Sequence, residues 1–512
     1  MGREDHQLMH LLDAMRARLG GAGAAQTALT AAAAGVLLAV LTGTVLTLPA
    51  IMQLAVIGAV FAVALTFARP AMMITFYFLV RILMDLMWWI PGSIGSLNIM
   101  EMYTGGATVL AGALMVLHIR RAERHPALLP FLMYALVLTI GGMRNLEVRT
   151  GAEIFARYLS PFIVMFVITA QLDSRLKRRR FVVATTAVCI IPVMISLFHL
   201  ANGQQYKFFL QGYYRLIGGY MNLHPHALSM VIIAALAGWW TLQVQDRRWK
   251  FFFLAYAGAA AACLYFTYVR TGIVALGIFT VVLLWVTGRK RALALGIVAV
   301  GVFVVLTPSM QDRFKDIAAI LFPDDAIMDQ AKIGSGRFRI WTAAVSGYLS
   351  RPFSDILLGL GIGKHFLLTR EAFNPYAPAK GGFIDTHSDY LTMTFQVGPV
   401  ATASYITMQA MVAWTSLQVW RRSPDRFSRQ FAAFSLALVC GASAANVLSN
   451  AFINRITQSW VLWGTAGITF AEYLQLEREG LLDKTLPKMR IPWQRRSAGR
   501  QRPRGGGQPS QR

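Results

Sequence analysis

Apolar runs of about 20 residues, the length an α-helix needs to cross a bilayer, recur along almost the whole chain. They lie near 27–48, 50–68, 70–90, 104–118, 127–142, 154–171, 181–199, 223–243, 251–268, 271–287, 292–307, 388–418, 430–450 and 456–473. This feature constrains the fold more than any other, because a backbone in lipid must satisfy its own N–H and C=O groups and does so as helices. Composition agrees: charged residues are 14% of the total, against roughly 25% in soluble domains. The runs predict an all-α integral membrane protein, a polytopic helical bundle of about 12–14 transmembrane helices.

A net charge of +25 would suit nucleic acid, but the basic residues sit in short clusters between the runs. Arg120, Arg121 and Arg124 form one cluster, and Arg175 with Lys177, Arg178, Arg179 and Arg180 a denser one. Arg247, Arg248 and Lys250, then Arg289, Lys290 and Arg291, then Arg421, Arg422, Arg426 and Arg429 continue the series. Counted run by run, every cluster falls on one side, the cytoplasmic side by the positive-inside rule. Nucleic acid is excluded as a partner, and the lipid bilayer takes its place. The same count gives a cytoplasmic segment 1–26, transmembrane helices over 27–307, an outside loop over 308–387, further transmembrane helices over 388–473 and a basic cytoplasmic tail over 474–512. From Lys484 onward the tail has nine Lys/Arg and no acid, a composition that cannot bury a core and that suits anionic lipid. Residues 1–20 lack the pattern of a cleavable signal.

Other sequence features exclude several chemistries. No dinucleotide fingerprint or Walker loop is present. Cys189, Cys263 and Cys440 lie inside apolar runs as small hydrophobes, without disulfide or metal spacing. His224 and His226 flank Pro225 and read as a helix start with an early proline, with no carboxylate nearby to complete a metal set. Arg81 and Asp85, four apart in one run, are expected to pair inside the bundle. Neither a metal nor a cofactor is expected.

The polar stretch 308–385 is the exception in an apolar chain. It contains Gly334-Ser-Gly-Arg-Phe-Arg-Ile-Trp341 and Leu358-Gly-Leu-Gly-Ile-Gly363, and it leads into Thr386-His-Ser-Asp-Tyr-Leu391 at the lip of the next run. Its mixed charges, and a short helix expected over Ile340 to Leu349, suggest a compact cap over the bundle. Three polar sites fall at the outer membrane–water boundary: Arg215 in the loop before the run at 223, Arg270 in Thr267-Tyr-Val-Arg-Thr-Gly272, and His387. Singly, an arginine at a helix end is a snorkelling anchor and a histidine there is an interfacial residue. Together they offer planar cationic forks for a pyrophosphate and a base for a hydroxyl near neutral pH.

The ordered set of Ser335-Gly-Arg-Phe-Arg-Ile-Trp341, Pro352, Leu358 to Gly363, and Thr386 to Leu391 with Gly398 resembles the signature region of the O-antigen ligase and polysaccharide polymerase family. Arg215-Leu-Ile-Gly218 leading to Asn222 through Ala227, and Tyr268-Val-Arg-Thr-Gly272, look like its other two recurring pieces, so the resemblance covers roughly 205–420. It implies a multi-span glycosyltransferase that takes a glycan from undecaprenyl pyrophosphate on the outer face of the bacterial inner membrane. Its essential arginines match Arg215 and Arg270, and its essential histidine matches His387. Where many members show an acid followed by glycine, this chain has Gln396-Val-Gly398.

On this reading Arg215 and Arg270 neutralise the leaving pyrophosphate without a metal, His387 takes the acceptor proton, and Asp389 or Ser388 orients it. Displacement by one hydroxyl inverts the anomeric centre. Arg337 and Arg339 are further phosphate candidates, each of which could instead pair with an acid such as Asp324. Trp341, Tyr213, Tyr214 and Tyr390 offer rings for sugar faces. The acceptor is another lipid-linked repeat unit if the protein is a polymerase of exopolysaccharide or O-antigen, the reading favoured by its span count and tail. It is lipid A core or a protein hydroxyl if the protein is a ligase. A chain-length regulator is a further expected partner. A transporter of lipid-linked sugars would need charges deep within many spans and repeat symmetry, and both are sparse.

Overall fold

The computed structural model describes residues 61–87, 93–94, 97–118, 125–144, 148–203, 215–307, 337–373, 386–453 and 455–482. The expected run 27–48, the tail beyond 482, Tyr213, Tyr214 and Asp324 lie outside the described residues. The fold is an all-helical bundle, with a two-residue antiparallel pairing of Ser93–Ile94 and Leu97–Asn98 as the one departure among the described residues.

The first half comprises α1 (Pro70–Met84), α2 (Ile99–Leu117), α3 (Leu128–Met143), α4 (Val148–Gln171), α5 (Arg175–Val188) and α6 (Ile190–Ala201). It is followed by α7 (Leu223–Gln243), α8 (Arg247–Thr267), α9 (Arg270–Val286) and α10 (Lys290–Leu306). The polar stretch contributes α11 (Arg337–Leu349), α12 (Phe353–Leu358) and α13 (Phe366–Phe373). The chain then returns through α14 (Asp389–Val397), α15 (Pro399–Arg422), α16 (Arg426–Leu448) and α17 (Ile456–Arg478). Four helical stretches are long and apolar enough to cross a membrane: α5 with α6, α7, α8 and α16. Five shorter helices are also apolar. The protein is a multi-pass membrane protein.

Large apolar side chains face outward on α6 (Met194, Phe198), α8 (Phe251, Leu254) and α10 (Leu295, Val298), as helices against lipid tails require. The interior holds an aromatic cluster of Trp239, Phe427, Phe431 and Phe434, and a polar helix, α17. Trp460 Nε1 of α17 donates to Ser160 Oγ of α4 at 3.0 Å, and Thr169 Oγ1 of α4 donates to the Gly467 carbonyl at 3.1 Å. Such cross-helix bonds satisfy groups that lipid cannot. Arg81 pairs with Asp85 at 3.0 Å, as expected from their spacing.

One expected span is corrected. The run 388–418 is two helices, broken between Val397 and Pro399. Pro399 has no N–H to continue the ladder and disfavours a helical residue before it, and Gly398 takes φ +88°. The orphaned carbonyls of α14 are met by the glycine-rich turn: Leu360 N donates to the Phe395 carbonyl at 2.8 Å and Gly361 N to the Gln396 carbonyl at 3.0 Å. That backbone approach needs glycine on both sides. A Cβ at Gly359 would stand 2.4 Å from the Gln396 carbonyl, and one at Gly398 2.2 Å from the Leu357 oxygen. The glycine-rich turn is therefore a clasp on a helix end, and those two amides are not presented to a phosphate.

The expected short helix in the polar stretch is present as α11. It shares a small core of Ala344, Tyr348, Leu368 and Phe395 with α13 and α14. Arg144, after α3, pairs with Asp355 of α12 at 2.5 Å and donates to the Gly359 carbonyl. The two ends of the bundle differ. At one, Arg178 and Arg175 meet Glu472 at 2.5 and 3.2 Å, and Arg179 lies over the Phe427 ring, so the basic clusters in the first turns of α5 and around the α15–α16 turn share that end. The helix starts of α7, α9, α14 and α17 lie at the other.

Candidate active site

Arg215 and Arg270 are brought together by the backbone. Leu216 N donates to the Phe266 carbonyl at 2.9 Å, which ties the Arg215 loop to the end of α8 four residues before Arg270. The loop is held from behind by His226, which is fully buried. Its Nδ1–H donates to the Leu216 carbonyl at 3.0 Å, and its Nε2 lies 2.9 Å from Ser196 Oγ. Gly218, at φ +57°, leaves the space in which His226 sits: a Cβ there would meet Ser196 Oγ at 2.3 Å and His226 Nε2 at 2.4 Å. His226 is thus a structural strut. On the far side, Thr267 Oγ1 accepts from Val269 N at 3.1 Å and donates to the Leu264 carbonyl at 2.7 Å, closing the turn that presents Arg270.

Among the described residues, two non-glycine residues have positive φ: Tyr268 at +52° and His387 at +51°. One lies two residues before Arg270, and the other is the expected base itself. A left-handed side-chain residue costs of order 1–3 kcal/mol and persists only where its surroundings fix it. His387 is fixed by its neighbours. Trp341 Nε1 donates to the Thr386 carbonyl at 2.6 Å, Thr386 Oγ1 lies 2.5 Å from Thr392 Oγ1, and Ser388 Oγ donates to the Asn446 carbonyl at 3.3 Å. Ser388 also caps α14 by accepting from Leu391 N at 3.5 Å.

Electrostatics draws the set together. His224, on the first turn of α7, is within electrostatic reach of Arg455, His387, Arg337 and Arg215. Burial, followed by the charge of Arg270, pulls the Arg215 guanidinium below the ordinary arginine range, and the same two causes act on Arg337. Both remain cations at any working pH. Arg215 Nε is buried without a hydrogen-bond partner among the described residues. Arginines crowded together with the starts of α7, α9, α14 and α17, each equivalent to roughly +0.5 charge, make a site suited to a multiply charged anion.

The other expected residues have different positions. Arg337 belongs to the cluster and also donates to the Leu448 carbonyl at the end of α16. Arg339 is exposed, about 200° further round α11. Trp341 lies one turn from Arg337 and holds the His387 turn through its indole N–H. Tyr390 donates to Gln409 Oε1 at 2.6 Å and packs on Tyr405, so it faces α15. Asp389 has backbone partners. It is fully buried, and its Oδ2 accepts from the backbone N–H groups of Ala451, Phe452 and Ile453 at 2.9, 2.7 and 3.2 Å. Through this oxygen it anchors the α16–α17 loop. Hydrogen bonds to a charged group contribute roughly 1.5–3 kcal/mol each.

The sequence reading missed Arg455 and took His224 only as part of a helix start. The signal for Arg455 was its side: on the side assignment expected from the basic clusters, an arginine in this short turn runs against the positive-inside bias.

Residues 255–406 match the family model described as O-antigen ligase. The matched segment runs from within α8 into α15 and contains Arg270, Arg337 and His387, while Arg215, His224 and Arg455 come from outside it. No curated protein matches the chain.

Proposed function

We propose that the protein is a glycosyltransferase that moves a glycan from undecaprenyl pyrophosphate to a hydroxyl at the periplasmic face of a bacterial inner membrane. The observation that carries this reading is the gathering of Arg215, Arg270, Arg337 and Arg455 with His224 and His387 at one end of a membrane bundle. Such a site suits a lipid-borne diphosphate. It also offers an imidazole at the same place.

In the reaction, the acceptor oxygen attacks the anomeric carbon from the face opposite the diphosphate. Its proton passes to His387, the new C–O bond forms, and the anomeric C–O bond breaks with its electron pair leaving on the phosphate. One displacement gives inversion. Charge develops on the departing phosphate, and fixed guanidinium groups in a water-poor site stabilise it without reorganising. Arg215 and Arg270 take this part, which supplies the neutralisation that a divalent metal would otherwise provide. Trp341 and the Ser388 cap keep the imidazole on a rigid turn.

The acceptor reading is a polymerase that extends lipid-linked repeat units, with a ligase to lipid A core as the alternative outcome. Purified protein in proteoliposomes, given only a lipid-linked repeat unit, should yield a ladder of longer lipid-linked chains. Transfer seen solely when lipid A core is added would make it a ligase. No transfer to either acceptor would remove the reading.

A further inference from the structure

Arg455 lies outside the segment that matches the family model, yet two independent sets of contacts fix the chain on either side of it. The loop that carries it hangs on the Asp389 carboxylate through three backbone amides, at Ala451, Phe452 and Ile453, and Asp389 is two residues from His387. On the other side, Gln458 Nε2, one turn further along α17, donates to the Pro225 carbonyl at 3.1 Å and to Ser229 Oγ at 2.8 Å. This locks the start of α17 against the first turn of α7, where His224 sits. Arg455 lies within electrostatic reach of His224, as do His387, Arg337 and Arg215.

We infer that Arg455 is a further diphosphate-contacting residue of this site and that Asp389 is its positioning residue, fixing the guanidinium relative to His387. The inference rests on the diphosphate-donor reading. A bound diphosphate diester carries about two negative charges, and the leaving group gains roughly one more as the anomeric C–O bond breaks. Arg215 and Arg270 match the first state. Arg337 already holds the Leu448 carbonyl. Arg455 is placed to meet the charge that appears only as the bond breaks, so its contribution belongs to the rate more than to donor affinity. Tethering it to the residue after Ser388 makes base and cation parts of one rigid unit.

The test uses the full-length protein in nanodiscs with a lipid-linked glycan donor. The variants are R455A, R455K, D389N, D389A and the double variant D389A/R455A, each checked for monodispersity and melting temperature. R455A is expected to lower kcat about 100-fold, with KM for the donor changed less than about threefold, and to weaken competitive inhibition by inorganic pyrophosphate about tenfold. R455K should recover part of kcat. D389A should reproduce the loss, and the double variant should be no worse than R455A alone, since residues acting as a unit are not additive. If D389A does not fold, D389N keeps an acceptor oxygen and should give a smaller loss that is likewise absent in the R455A background. Wild-type kcat and pyrophosphate inhibition in R455A would overturn the Arg455 assignment, and an additive double variant would overturn the positioning role. Should the wild type turn over no polyprenyl-diphosphate donor while calorimetry still finds Arg455-dependent pyrophosphate binding, the proposed reaction fails and the anion contact stands.

Discussion

The indole N–H of Trp341 donates to the Thr386 carbonyl at 2.6 Å, one residue before a histidine held at φ +51°. The bond links a helix of the polar stretch to the turn that presents the proposed base. W341F keeps the ring and removes only the donor. We expect kcat to fall about tenfold while the melting temperature drops by only a few degrees, since one neutral hydrogen bond is worth about 1 kcal/mol. Steady-state kinetics with thermal unfolding checks this, and unchanged kcat would leave Trp341 as packing alone.

His387 gives a sharper prediction. H387A should lose transfer by about 10²–10⁴-fold, the usual worth of a positioned base, with membrane insertion unchanged. H387G should be equally inactive yet more stable, because glycine occupies a left-handed position without the side-chain penalty. A histidine with a structural role would show the reverse: lower stability in both variants and substantial residual turnover.

The clasp between the glycine-rich turn and the end of α14 predicts damage at a distance from the chemistry. G398A would push a methyl carbon against the Leu357 carbonyl, at 2.2 Å, and force an alanine to keep φ +88°. A loss of about 1–3 kcal/mol follows from overpacking alone, with more from the backbone strain. Limited proteolysis of the variant should cut first between 350 and 373, where α12 and the turn lose their seat. Wild-type resistance would argue against the clasp.

How far the sequence foretold this arrangement differs from residue to residue. Most helices were legible, because an apolar run of spanning length leaves the backbone few other options. The break at Gly398–Pro399 was hidden inside such a run, although the Gly-Pro pair is itself a break signal. The meeting of Arg215 with Arg270 was readable only as a shared side of the membrane; what joins them is the Leu216–Phe266 hydrogen bond. Asp389 was singled out by its adjacency to His387. The partners of its Oδ2, the amides of residues 451–453, arrive some sixty positions later. Arg455 reaches the site through the same long-range contact, so no local pattern announces it.

Orientation has its own test. The side assignment from the basic clusters predicts a periplasmic position for residues near 350 and a cytoplasmic one for residues near 505. Fusions of compartment-specific reporters after these two positions should report opposite sides. A cytoplasmic signal at the first site would invert the threading.

The central claim is that fixed arginines, rather than a divalent metal, neutralise a departing lipid diphosphate. The direct measurement counts undecaprenyl pyrophosphate released per glycosidic bond formed, using purified protein, lipid-linked glycan and acceptor with excess EDTA, for wild type, R215K and R270K. We predict one diphosphate released per bond at an undiminished rate in EDTA. Each lysine variant should lose at least about tenfold, because a point charge cannot replace a bidentate fork. Loss of wild-type turnover in EDTA with recovery on adding magnesium, or near-wild-type turnover in both lysine variants, would contradict the account.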